Sequence, residues 1–88
     1  MNYLTPEQLR ELQELEKLKK IVLRKILTKE ALERLGRVKL VKPQLATQLE
    51  LYLVQLYQTG QIKSMIDDNK LRSILDALSK GKEYKLIR

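Results

Sequence analysis

KPQLATQLELYLVQLYQTG, residues 42–60, is the stretch from which the fold of this 88-residue chain is read. Pro43 suits the first turn of a helix, where its fixed φ is already helical and its missing N–H is not needed. Gly60 closes the stretch with the residue type that most easily adopts the left-handed conformation ending a helix. Between them Glu50 is the only charge. Leu45, Leu49, Tyr52, Leu53 and Leu56 fall on one face, with Leu51 and Val54 on the opposite side. A helix apolar around most of its circumference is expected to be wrapped by neighbours, so this segment is scaffold.

Working outward, Thr5-Pro6-Glu7-Gln8 has the form of a capping box with proline at the first helical position, starting a helix that runs to about Leu27. Its first half is rich in Glu and Gln. In its second half Leu15, Leu18, Val22 and Ile26 are expected to form the buried stripe. Thr28 is the next cap, starting a short helix with Ala31, Leu32, Leu35 and Val38 inward; Pro43 forces a break after Val41 and Lys42. Beyond Gly60, residues 61–66 read as a tight connector burying Ile62, Met65 and Ile66. Asp67 or Asp68 caps a last helix carrying Leu71, Ile74, Leu75 and Leu78 at i, i+3, i+4, i+7. The expected fold is all-α: a compact three-helix bundle (29–81) preceded by a longer, partly mobile N-terminal helix (1–28) and followed by a short basic tail (82–88).

Composition bounds the function. Nineteen leucines with no Phe or Trp imply an aliphatic core of one small domain. No apolar run is long enough for a membrane span, and the absence of Cys makes a reducing cytoplasm the expected setting. With no His or Cys, no transition-metal set or cofactor is expected. Ser64, Ser73 and Ser79 lack a base to activate them, so the chain is expected not to be an enzyme. The net charge of +7 is uneven. Residues 1–16 carry −3, residues 17–42 carry +8 and residues 43–88 carry +2. A concentrated positive block attracts polyanions.

The run Leu32-Glu33-Arg34-Leu35-Gly36-Arg37-Val38-Lys39-Leu40-Val41-Lys42-Pro43, continued by Leu53, Leu56 and Thr59-Gly60-Gln61-Ile62, resembles the programmed cell death protein 5 family, whose archaeal branch is described as double-stranded DNA-binding. The resemblance covers residues 17–88. Gln44 stands where an acid is expected and Tyr57 where a smaller residue is usual; the long basic tails of such proteins are missing, as in a shortened form. The resemblance implies a helical bundle with a mobile N-terminal helix, affinity for duplex DNA and no enzyme activity. It also implies a competing role, since eukaryotic relatives are described as partners of other proteins, the cytosolic chaperonin among them.

Two readings of the basic block stand side by side. Lys17, Lys20 and Arg24 form a helical stripe flanked by Lys19 and Lys25; Lys29, Arg34, Arg37, Lys39 and Lys42 follow, with Lys82, Lys85 and Arg88 as tail contacts. Such cations bind phosphates by releasing counterions, without reading sequence. The same residues also fit a solvated surface stitched by the pairs Glu16–Lys20, Glu30–Arg34 and Glu33–Arg37. The resemblance tips the balance to a monomeric, sequence-nonspecific DNA-binding protein. The alternative is a protein-interaction adaptor, chaperone- or ribosome-associated, using the N-terminal helix and the basic face. Base-edge reading is not expected, because residues 43–60 carry no Lys or Arg; Tyr52 and Tyr57 are expected in the core rather than as RNA-stacking platforms.

Overall fold

The computed structural model describes residues 3–81, in which four helices and no strand occur: α1 (Pro6–Ile26), α2 (Lys29–Val41), α3 (Pro43–Gln58) and α4 (Asp68–Ser79). The local signals act as their chemistry dictates. The Thr5 hydroxyl accepts from Gln8 N–H while the Gln8 side chain accepts from Thr5 N–H. The Thr28 hydroxyl accepts from Ala31 N–H, and the choice at α4 falls on Asp67, which accepts from Lys70 N–H at 2.8 Å. Gly60 takes φ 73°, a region open to glycine at little cost.

α3 packs against each of the other three helices. Leu49 and Leu53 on its inner face are fully buried, and they join Leu23, Ile26 and Leu27 of the first helix and its cap with Leu35, Leu71 and Ile74 in one core. Burying such side chains contributes about 1.5–3 kcal/mol each. The junctions are tied by backbone bonds at one end of the bundle. Thr28 N–H donates to Ile66 O at 3.0 Å and Ile66 N–H donates to Ile26 O at 2.7 Å. α1 and α3 therefore run in one sense, with Lys19 beside Glu50 and Ile26 near Tyr57, while α2 and α4 return in the other.

Several expected core positions are not in the core. The expected stripe of α1 holds in its last two turns, where Ile26 is buried and Val22 packs against the core with Leu23 added beside them, and fails before that: Leu15 and Leu18 are more than half exposed. Leu9, Leu12 and Ile21 are also about half exposed, and every described residue before Lys19 is exposed, so the first half of α1 contributes nothing to the core. Met65 is exposed because Ile66, not Met65, is the residue held in the bridge to Leu27. Leu51 is open on the free edge of α3, and Tyr57 is partly exposed in its last turn. The wrapping of α3 is thus on three sides.

Candidate nucleic-acid interface

The lone charge of α3 organises the cations around it. Glu50 is 5% exposed, and a carboxylate taken out of water needs partners. Lys39 of α2 reaches its Oε2 at 3.1 Å, and Lys19 of α1 lies 3.6 Å from its Oε1 and 3.2 Å from Glu16. Two of the sequence-picked cations are therefore engaged with a buried acid. A third, Arg34, makes a two-pronged pair with Asp68 at the start of α4, Nε to Oδ1 and Nη2 to Oδ2, the latter at 3.0 Å. These hydrogen bonds hold the Asp68 carboxyl below its ordinary pKa. Partial desolvation opposes them, and attraction from Arg34, Arg72 and Arg37 adds to them. The Arg34 guanidinium is correspondingly raised, first by its hydrogen bonds to Asp68.

Among the described residues, none of the expected intrahelical pairs forms: Glu16 turns to Lys19 and Arg34 to Asp68. Lys17, Lys20, Arg24, Lys25, Lys29, Arg37 and Lys42 take part in no ion pair there. They are exposed, so their charge faces solution, although Arg37 also lies near enough to Asp68 to attract it.

Their placement is set by α2. Lys20 and Arg24 line a groove of about 160 Å³ between α1 and α2, whose walls include Gly36 and Lys39. On the other side of α2, Arg37 and Lys42 line a groove with Arg72 of α4. Lys25 lies elsewhere, in a hollow with Lys63 beside the connector; Lys17 is exposed one turn before Lys20 on α1, and Lys29 is exposed at the start of α2. Lys82, Lys85 and Arg88 lie outside the described residues. Sequence reading missed Arg72 because it sits outside the basic block, on a helix read only for its apolar face. It also missed the role of Glu50, although a single acid in an otherwise uncharged helix was the available signal.

No group of three His, Cys, Asp or Glu suited to a metal occurs among the described residues, and no helix there is long and apolar enough to cross a membrane. The described residues thus form a small helical module with several exposed, unpaired cations on its surface. The chain belongs to the family described as the double-stranded DNA-binding domain, whose model matches residues 3–88. Proteins named DNA-binding protein are similar to it. One from Thermococcus kodakarensis is 64% identical over 69 residues, covering 78% of this chain and 62% of that protein. One from Pyrococcus horikoshii is 70% identical over 54 residues, 61% of this chain and 47% of that protein. One from Methanopyrus kandleri is 54% identical over 67 residues, 74% of this chain and 57% of that protein. The chain thus spans less than two thirds of the length of these relatives.

Proposed function

We propose that this chain is a non-enzymatic module that binds double-stranded DNA through backbone phosphates and without reading sequence. The observation that carries this is the set of unpaired cations on both flanks of α2: Lys20 and Arg24 on one side, Arg37 and Lys42 on the other. α2 lies between them, with one cation row on each of its flanks. Its outward side carries Glu33, Gly36 and Leu40, which offer no cationic donor to a base edge, so the contacts position without specifying. Lys17, Lys25 and Lys29 add to the field, and the tail residues Lys82, Lys85 and Arg88 extend it. Lys19, Lys39 and Arg34 act mainly by holding the surface in shape.

The test is a salt titration with random-sequence duplex. Reversing Lys20, Arg24 and Arg37 to Glu together should reduce the slope of log K against log salt by roughly 3. An unchanged slope means the surface is assigned to the wrong residues.

One observation favours a second reading. The half-exposed leucines Leu9, Leu12, Leu15 and Leu18 on the first half of α1 suit a protein adaptor rather than a phosphate binder. Partners recovered from nuclease-treated lysate, with no duplex binding at physiological salt, would select that reading over the first.

A further inference from the structure

We propose that the groove between α2 and α4 is a docking site for an acidic amphipathic helix of a protein partner, separate in chemistry from phosphate binding. The groove has a volume of about 400 Å³; its floor is aliphatic, with half-buried Val38, Leu45 and Leu75, and the exposed Val41 lines it beside them. Val41 is 77% exposed, although it lies next to other apolar side chains. A duplex backbone has no aliphatic group to cover such a floor, whereas an amphipathic helix does. From Arg34 to Lys42 the groove follows α2 for about 12 Å, two helical turns, which accommodates anchors at i, i+4 and i+7.

The rim determines the charge of the occupant. Arg37, Lys42 and Arg72 stand around the floor with no ion pair of their own; Asp68, which Arg37 and Arg72 attract, is held by Arg34, and the one acid lining the groove, Asp76, is paired with Lys80 at 3.1 Å. α3 also begins at this groove without a side-chain cap and without an acid in its first turn. A helix start in that condition favours a carboxylate nearby. Aliphatic floor, cationic rim and uncapped helix start together describe a partner helix with leucine-type anchors flanked by Glu or Asp.

The probe is a fluorescein-labelled synthetic helix of about four turns, with Leu at i, i+4 and i+7 and Glu on the flanks, against a scramble of identical composition that breaks the apolar face. On the full chain at physiological salt, the patterned peptide should bind about tenfold more tightly than the scramble. Val41→Asn, on an exposed side chain, should remove that difference while random-sequence duplex binding and the helical circular dichroism stay as in the parent. Equal binding of the two peptides overturns the proposal, because attraction would then be charge alone. So does a Val41→Asn protein that still discriminates between them, or one that loses duplex and peptide binding in parallel. A parent protein that fails to bind duplex yet discriminates the peptides through Val41 sinks the DNA reading and leaves the groove standing.

Discussion

Glu50 illustrates how far one side chain departs from what its neighbours in sequence suggest. It cannot leave the interior, while Lys39 is half exposed and Lys19 can extend toward water. The two sides of this cluster should therefore respond unequally. Glu50→Gln frees two lysines to hydrate and should cost about 1–2 kcal/mol. Replacing Lys19 and Lys39 together by Met strands a carboxylate in low dielectric and should cost on the order of 3 kcal/mol. Urea midpoints of the two variants decide it, and the reverse order would mean that the lysines do not solvate Glu50. Asp68 adds a pH signature. Its folded pKa is depressed by Arg34, so the pair's contribution is fully present above the unfolded value of about 3.9 and is lost as pH falls through the folded one. The thermal stability gap between the parent and Asp68→Asn should thus be constant above about pH 4 and narrow below it. A gap independent of pH would show that the pair does not couple to titration.

At the scale of elements, α1 and α2 carry different weaknesses. The first half of α1 is capped well but uncovered, and a helix without packing is marginal at such length. Amides of the first half should exchange much faster than those around Leu23 and Ile26, as seen by NMR; equal protection would mean that something covers the leucines. Leu12→Ser should cost under about 0.5 kcal/mol, against about 2–5 kcal/mol for Leu23→Ala. In α2, Gly36 has a helical, negative φ, and a Cβ built there meets no atom within 4 Å. Nothing in the packing requires glycine at this place. Gly36→Ala should raise stability by about 0.5–1 kcal/mol, read from the thermal midpoint, and a loss would reveal a contact on that face.

For the molecule as a whole, the positive charge proposed to recruit DNA should also work against the fold. The free cations repel one another across a small surface, so screening them should raise the thermal midpoint between low and physiological salt, by less than about 1 kcal/mol in stability. Duplex affinity should fall over the same range. Scanning calorimetry beside a binding titration tests the opposite signs; a midpoint that falls with salt would mean that the internal pairs outweigh the repulsion.

Read alone, the chain was sufficient for its helices, because caps, prolines and glycines act within a turn or two: Thr5 with Gln8, Thr28 with Ala31, Pro43 and Gly60 each sit where the chemistry puts them. It was sufficient also for the all-α class and, through the Leu40-Val41-Lys42-Pro43 run, for the family. What tertiary structure alone decided was which charges are spoken for. Lys19 and Lys20 are neighbours in sequence, yet a rotation of 100° sends one to Glu50 and the other to solvent. Arg72, remote from the basic block, comes to the groove of Arg37 and Lys42 because α4 packs on α2. Local signals are short-range and additive enough to read in one dimension; the pairing of charges depends on distances between helices, which exist only once the chain has closed on itself.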